Sequence, residues 1–217
     1  MTAEFGYAGK ILKVDLSSAS TSDVPTSDYA DRFIGGRGIA AKVYWDEVPP
    51  QSNAFDPENR LMFMTGPLST YPGIAGSMCQ ICGKSAATNP EQFFYTNMGG
   101  SWGAHLKLAG YDAVVVHGKS EKPVYILIQH GKAELRDASN LWGKESAETR
   151  NLLKGELGKS ARVLSTGPAG ENLVPFASTL AEGDAAAWGA AIMGSKKLKA
   201  IVVRGKGNRP PVANPEK

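Results

Sequence analysis

The sequence has few cysteines, no long apolar run and no large excess of one charge, and each shortage excludes a class of protein. Two cysteines among 217 residues cannot build a disulfide framework, and they suit a reducing compartment. No stretch approaches the ~20 apolar residues that cross a bilayer, and the first residues lack the basic and apolar segments of an export signal. We therefore expect a cytoplasmic protein that does not enter a membrane.

The charge is nearly balanced, with 24 basic and 21 acidic residues and a formal net charge of +3. This balance argues against a nucleic-acid partner. One basic cluster lies near the end and consists of Lys196, Lys197, Lys199 and Arg204. The favoured interpretation is a solvated helix end followed by a strand, and the alternative is a patch that binds phosphate.

Glycine, by contrast, is abundant, and an order of local features recurs along the chain. The 25 glycines exceed the usual ~7% and predict many tight turns. An apolar run ending in Thr-Gly-Pro is followed by Trp-Gly-Ala, a helix-like stretch and a closing strand, and then the series repeats. These features lie at 61–68, Trp102–Ala104 and 113–119, and again at 163–170, Trp188–Ala190 and 200–206.

The repeated order predicts an internal duplication within one domain. We place the domain at 1–207, with repeats at about 1–119 and 120–207 and an exposed linker or tail at 208–217. Each repeat opens with a hairpin-like pair of strands, because apolar and polar residues alternate beside turn residues.

Two segments have the pattern of amphipathic helices. One runs from about Gly38 to Glu47, and the other from about Lys144 to Leu157, with Leu152 and Leu153 on its apolar stripe and Gly158 as its stop. Strands and helices are mixed without regular βαβ alternation. The predicted fold is therefore α+β, internally duplicated, with mostly antiparallel β-sheets and a few helices.

Two glycine-containing turns are the candidate ligand sites. Residues 96–103 (TNMGGSWG) precede a helix-like stretch from about Ala104 to Ala109, and such a turn presents free backbone N–H groups to a phosphate. Its counterpart is 183–189 (GDAAAWG). Taken singly, each is better explained as a tight turn or as close packing. As a pair around a pseudo-two-fold axis, they suit a two-fold ligand with an anionic group at each end.

Other reactive residues form no recognisable site. Cys79 and Cys82 make a C-x-x-C pattern without a second pair, in a strand-like run where i and i+3 face opposite sides. Buried thiols are the favoured interpretation, and a metal site completed by a second subunit is the alternative. The three histidines are scattered, and no Ser-His-Asp set or carboxylate pair is visible. We predict no catalytic residue and no metal ligand in this chain.

Ten short motifs, which occur in one order from about residue 5 to 206, resemble the amino-terminal domain of tungsten-containing aldehyde ferredoxin oxidoreductases. They are Ile34–Gly38, Asp56–Asn59, Thr65–Leu68, Asn97–Gly100, Leu108–Asp112, Glu121–Tyr125, Arg136–Ser139, Leu141–Lys144, Gly167–Asn172 and Met193–Lys196. The resemblance implies an intertwined duplication of β-rich repeats, which agrees with the repeat described above.

The resemblance also implies a function. Enzymes of this family oxidise aldehydes to carboxylic acids and pass electrons through a [4Fe–4S] cluster to ferredoxin. Two pterin dithiolenes hold the tungsten, and the amino-terminal domain is the base on which the pterins sit. The cluster belongs to carboxy-terminal domains that this sequence lacks, or to a separate subunit that carries them. We therefore expect no turnover from this chain alone; tungsten versus molybdenum, and a homodimer, are left open.

Six cofactor-binding residues are carried over from the family. Asn97 and Gly99 match positions that contact one pterin, Gly100 belongs to the same turn, and Ala185 and Ala186 lie on the loop that serves the cofactor from the other half. Ser77 stands where the family usually has an arginine, and Ala185 stands at a second such position. Because arginine–phosphate pairs are strong, the alternative function is a non-catalytic, degenerate binding or scaffold relative that has lost the tungstopterin site.

Overall fold

The computed structural model describes residues 5–71, 76–182, 185–207, 209–214 and 216. The first half contains β1 (Lys10–Asp15), β2 (Ser20–Pro25), α1 (Ser27–Phe33), α2 (Gly36–Glu47), β3 (Leu61–Met64), β4 (Cys79–Lys84), β5 (Phe93–Met98), α3 (Trp102–Leu108) and β6 (Ala113–His117). The second half contains β7 (Val124–Gln129), β8 (Lys132–Asp137), α4 (Ser146–Leu157), β9 (Arg162–Ser165), α5 (Pro168–Glu171), β10 (Ser178–Leu180), β11 (Ala186–Trp188), α6 (Ala190–Ser195) and β12 (Leu198–Arg204).

The strands form two six-stranded sheets with the same strand order. The first sheet runs β2-β1-β6-β3-β4-β5, and the second, taken from its β8 edge, runs β8-β7-β12-β9-β10-β11. In each sheet one pair is parallel, β1 with β6 and β7 with β12, and the other four are antiparallel. The α+β, mostly antiparallel fold is confirmed. A duplication as the origin of this likeness, and the domain limits, stay predictions.

The sheets enclose a central core to which α3 and α6 contribute, and α2 and α4 cover the outer faces of the sheets. Leu61 and Phe63 of β3 meet Ile201 and Val203 of β12 in that core, together with Trp102. The alternate residues of β3 face α2, and the alternate residues of β12 face α4. Strands buried on both faces read as continuous apolar runs, which explains the sequences LMFM and AIVV.

The helices differ from the prediction in five places. α2 begins at Gly36, α3 at Trp102 and α4 at Ser146, and the pattern missed α1 and the short α5. Gly158 ends α4 with a φ of +93°, as expected of a glycine stop. Leu152 was placed wrongly on the apolar stripe, because it is 46% exposed whereas Leu153 and Leu157 are buried.

The Trp-Gly-Ala match does not mark equivalent positions. Trp102 is the fully buried first residue of α3, and its indole Nε1 donates to the carbonyl of Ile201 over 3.1 Å. Trp188 is the half-exposed last residue of β11. The predicted order of a helix followed by a closing strand is nevertheless confirmed in both halves.

Two residues of the predicted tail contact the domain. The backbone N–H of Gly6 donates to the carbonyl of Pro211, and the hydroxyl of Tyr71 donates to that of Pro210, each over 2.8 Å. Pro210 is buried, whereas the other described residues from Arg209 onward are exposed. Across the described part of the chain, no helix combines the length and the apolar character needed to cross a membrane.

The solvated interpretation of the basic cluster is wrong for two of its lysines, because the side chains of Lys196 and Lys199 are fully buried. Lys199 is paired with Glu171. The Nζ of Lys196 instead donates to three backbone carbonyls, those of Asp56 (3.4 Å), Pro57 (3.1 Å) and Gly118 (3.2 Å). The cluster thus ties the second half of the chain to the first.

This burial makes stability depend on pH through Lys196. Burial, reinforced by the charge of Arg60, lowers the pKa of Lys196 from 10.5 to about 7. Between these two values the unfolded chain binds a proton that the folded chain does not, so the free energy of unfolding rises with pH. We expect the free energy of unfolding of the wild type to rise by about 1 kcal/mol per pH unit between pH 7 and 9. Lys196→Met should lack this rise.

Urea denaturation of both proteins at several pH values measures this slope. Burial also lowers the pKa of Lys107, so the relevant quantity is the difference between wild type and variant. Profiles that run parallel from pH 7 to 9 would show that Lys196 keeps an ordinary pKa in the folded protein.

Candidate functional site

An open cleft of about 480 Å³ lies at the edge of the first sheet and contains one of the predicted cofactor residues, Asn97. Its walls are mostly backbone and small side chains from the start of α2, the loop after β3, and strands β4 and β5. The lining residues are Ile34, Gly35, Gly36, Met64, Gly66, Pro67, Leu68, Ser69, Gly76, Met78, Gln80 and Asn97. Ile34, Leu68 and Met78 are exposed apolar side chains. The cleft therefore combines exposed apolar side chains with the backbone of four glycines.

The start of α2 is built closely against β4. Gly36 has a φ of +52°, and its N–H donates to the carbonyl of Thr65 over 2.9 Å. A side chain at Gly36 would place its Cβ only 2.5 Å from the Oε1 of Gln80. The left-handed backbone conformation favours glycine here, and a side chain would displace the Gln80 carboxamide from its position.

A chain of hydrogen bonds joins α2 to β5 across the cleft wall. The N–H of Arg37 donates to the Oε1 of Gln80 over 2.5 Å, and the Nε2 of Gln80 donates to the Oδ1 of Asn97 over 3.0 Å. The guanidinium of Arg37 lies 4.5 Å from the centre of the Tyr95 ring, a cation–π contact that also joins α2 to β5. Sequence reasoning missed Gln80 and Arg37, since only the register that pairs Gln80 with Asn97 brings them together.

The glycine turn after β5 is open on one side and contacts the second half of the chain on the other. No described atom lies within 4 Å of a Cβ built at Gly99. Gly100 has a φ of +82°, and a Cβ there would lie 3.1 Å from the carbonyl of Glu182 and 3.7 Å from the Cβ of Ala185. The structure thus brings the predicted residues Gly99, Gly100 and Ala185 to one place, where β5 approaches β11.

Ser77 and Ala186 lie around this turn. The carbonyl of Ser77 is 3.0 Å from a Cβ built at Gly103, in the helix that follows the glycine turn. Ala186 is exposed and pairs with Leu180 at the start of β11. Neither side chain carries a positive charge; the cation bonded to the turn is Arg162, whose Nε donates to the hydroxyl of Ser101 over 3.1 Å.

The second half does not repeat this turn in its described residues. Gly183 and Asp184 of the predicted loop lie outside the described residues, and Ala186–Trp188 form β11 rather than a turn. A Cβ built at Gly189 would meet Ile81 at 3.1 Å and Leu61 at 3.5 Å. The close-packing alternative is correct for Gly189, and whether the second segment contains an open turn at Gly183 and Asp184 stays a prediction.

The two cysteines are buried thiols, as the sequence favoured. Cys79 faces the central core and Cys82 faces α2, on opposite sides of β4. Burial raises the pKa of Cys82 to about 12 and raises that of Cys79 as well. Throughout the described ranges, no three His, Cys, Asp or Glu side chains lie close enough together to hold a metal ion.

Another cleft, of about 380 Å³, lies on a different part of the surface. Lys107, Gly110, Gly131 and Lys206 are among its lining residues, and the six predicted cofactor residues are not. The geometry therefore favours the cleft beside Asn97 as the functional site.

Comparisons with known proteins agree over almost the whole chain. The family model described as "Aldehyde ferredoxin oxidoreductase, N-terminal domain" matches residues 11–205. The tungsten-containing aldehyde ferredoxin oxidoreductase of Pyrococcus horikoshii is 44% identical over 93% of this chain, and that of Thermococcus kodakarensis is 43% identical over 98%. The WOR-like subunit of an aliphatic sulfonate oxidoreductase of Pyrococcus furiosus is 35% identical over 98% of this chain.

A solved structure shares the fold. A chain of the active-site complex BamBC of benzoyl coenzyme A reductase, in complex with 1,5-dienoyl-CoA, superposes with a TM-score of 0.90 at 39% identity. The match covers 94% of this chain and 32% of that one. The three relatives are likewise matched over 34%, 36% and 37% of their lengths, so this chain spans about a third of each.

Proposed function

This chain belongs to the aldehyde ferredoxin oxidoreductase family, which confirms the resemblance seen in its sequence, and from that premise we propose that its cleft cradles the pterin part of a tungsten cofactor. The observation that carries the proposal is the open glycine turn at Gly99 beside Asn97. There a planar ring system can lie against the backbone without meeting a side chain.

The residues present fit a pterin better than they fit its phosphates. Asn97, Gly99 and Gly100 offer an amide and backbone groups for a flat polar ring, and Ala185 is small enough to leave the turn accessible. Ser77 and Ala185 supply no charge for a phosphate. When bound, the tungsten carries the redox chemistry, and these residues bind and orient the cofactor.

The remainder of the enzyme lies outside this chain. We propose that carboxy-terminal domains, or a subunit that carries them, hold the [4Fe–4S] cluster and pass electrons to ferredoxin in the cytoplasm. Aldehyde oxidation is the favoured reaction, because the tungsten-containing aldehyde ferredoxin oxidoreductases match at 41–44% identity. Relatives that carry sulfonate oxidoreductase and benzoyl coenzyme A reductase names share this same domain, so the substrate is set elsewhere.

The second candidate function is a scaffold that no longer holds the cofactor. It is favoured by one observation, the absence of arginine at both Ser77 and Ala185. Charge-assisted hydrogen bonds contribute about 1.5–3 kcal/mol each, so their loss weakens phosphate binding strongly. Tungsten and pterin content separates the two functions.

We expect the tagged protein, purified anaerobically from its host with its partners, to hold tungsten or molybdenum and a pterin. Gly99→Val should lose both, because the new side chain would occupy the open side of the glycine turn, where no described atom lies within 4 Å of a Cβ. Metal is measured by mass spectrometry, and pterin by fluorescence after oxidative release.

Gly155→Val is the matched control for this experiment. Gly155 is exposed on α4, with no described atom within 4 Å of its Cβ, and it belongs neither to the glycine turn after β5 nor to the residues that line the cleft. Its variant should keep the wild-type metal content. A folded wild type without tungsten, molybdenum or pterin would contradict the proposal and support the scaffold, and a fully loaded Gly99→Val would exclude Gly99 from the site.

A further inference from the structure

We propose that Gln80 is a positioning residue that holds the side-chain amide of Asn97 with its amino group facing the cleft, so that the ligand presents a hydrogen-bond acceptor at this point. The inference rests on the proposed function, and it states which end of the Asn97 amide faces the ligand. It concerns Gln80, which no comparison assigns to the site.

The direction follows from an unambiguous donor at one end of the chain of hydrogen bonds. The backbone N–H of Arg37 can only donate, so the Gln80 atom 2.5 Å away is the acceptor Oε1. The other end of that amide is then Nε2, which can only donate, and the Asn97 atom 3.0 Å from it is the acceptor Oδ1. The amino group of Asn97 is left pointing away from Gln80.

The packing keeps Gln80 in this orientation. Its Oε1 fits against Gly36, where any side chain would approach to 2.5 Å. Gln80 and Asn97 are paired residues of β4 and β5, so their side chains leave the same face of the sheet. Reversing the Gln80 amide would set its amino group against the N–H of Arg37, and two donors facing each other leave both unsatisfied.

The amino group of Asn97 is available to a ligand. Asn97 is exposed and lines the cleft, and its Nδ2 has no hydrogen-bond partner among the residues that the structure describes. Ring nitrogens and the carbonyl oxygen of a pterin are acceptors of the kind it would bind, and so is a phosphate oxygen. Both sources offer a hydrogen-bond acceptor, and separate titrations with a pterin and with phosphate distinguish them.

The first measurement uses the full chain without cofactor. In ¹⁵N-labelled wild type, one amino proton of Gln80 should exchange slowly with water and both of those of Asn97 quickly, because only the Gln80 proton that is donated to Asn97 is hydrogen-bonded within the protein. In Gln80→Glu, the carboxylate still accepts from Arg37 but cannot donate to Asn97. Asn97 then turns, and its amino protons become the slow ones. Slow exchange of the Asn97 amino protons in wild type would overturn the proposal.

The second measurement titrates the labelled chain with 6-hydroxymethylpterin and, separately, with inorganic phosphate. A shift of the Asn97 amino resonances with the pterin identifies a ring acceptor, and a shift with phosphate alone identifies a phosphate oxygen. Gln80→Glu should weaken binding of the effective probe by about tenfold or more. In this variant the turned Asn97 presents its acceptor oxygen to the ligand instead of its donor amino group. Gln92→Glu adds the same charge at an exposed position outside the cleft and should leave binding unchanged.

The third measurement is the pterin content of the complex purified from its host. We expect the wild type to contain pterin and the Gln80→Glu variant to be depleted of it. A Gln80→Glu variant that keeps the full pterin content overturns the role of Gln80 while leaving the proposed function intact. A wild type without pterin overturns the proposed function, and this inference with it.

Discussion

Replacing Asp112 with alanine should cost about 3–5 kcal/mol of the free energy of unfolding, because it leaves a buried lysine without its counter-charge. Lys107 and Asp112 are 3.0 Å apart, and their side chains are 0% and 5% exposed. Asp112 also accepts hydrogen bonds from the N–H groups of Ala8 and Gly9 (both 2.9 Å) and from the hydroxyl of Thr26 (2.7 Å). One carboxylate therefore fastens the first described residues to the sheet.

The Lys107–Asp112 pair also contacts a residue that lines the cleft. The Nζ of Lys107 donates to the carbonyl of Gly66, which lines the cleft, over 2.8 Å, and to that of Gly6 over 2.6 Å. Asp112→Ala should therefore loosen the loop after β3 as well as destabilise the fold. We expect faster amide exchange at Gly66 and Ser69 than in wild type.

Urea denaturation measures the loss, and two variants test its cause. Asp23→Ala removes an exposed partner of Lys10 and should cost no more than about 1 kcal/mol. In Asp112→Ala/Lys107→Met the uncompensated charge is gone, so the double variant should lose less than the sum of the single losses. Strict additivity, or a loss below ~1 kcal/mol for Asp112→Ala, would show that the pair does not act as a buried ion pair.

Replacing Glu171 with glutamine should destabilise the second half of the chain by a similar amount. The Glu171 carboxylate lies 2.5 Å from the Nζ of Lys199, with side-chain exposures of 4% and 0%. Its other oxygen accepts the N–H of Gly143 over 2.7 Å, and Lys199 also donates to the carbonyl of Lys144 over 2.7 Å. The pair thus joins α5, the loop before α4 and the central strand β12.

We expect Glu171→Gln to lower the melting temperature by roughly 6–20 °C, from a loss of about 3–5 kcal/mol at 2–4 °C per kcal/mol. Glu148→Gln is the matched control, because Glu148 forms an exposed i,i+4 pair with Lys144 within α4 and the preceding loop. That change should cost about 0.5 kcal/mol or less. Equal melting temperatures for the two variants would contradict the role assigned to Glu171.

The candidate site was predictable in part. The glycine turn and Asn97 were found from the sequence, and the structure places Gly99 and Gly100 beside Ala185. Gln80 could not have been found, because its function depends on the pairing of β4 with β5 and on the position of α2. The sequence could not show that Gly189 of the second segment is closely packed, since glycine fits an open turn and a packed one equally well.

The sequence by itself determined most of the central strands, the α2 and α4 helices, the helix before each closing strand, and the family. These features are encoded locally, in apolar periodicity, turn residues and short motifs that need no knowledge of distant contacts. Only the tertiary structure decided which side chains meet. The sequence predicted a solvated cluster that includes Lys196 and Lys199. The fold instead buries Lys196 among backbone carbonyls and pairs Lys199 with a carboxylate. The direction of the Asn97 amide likewise depends on an N–H that lies 60 positions earlier in the chain, because a hydrogen bond depends on proximity in space and not in sequence.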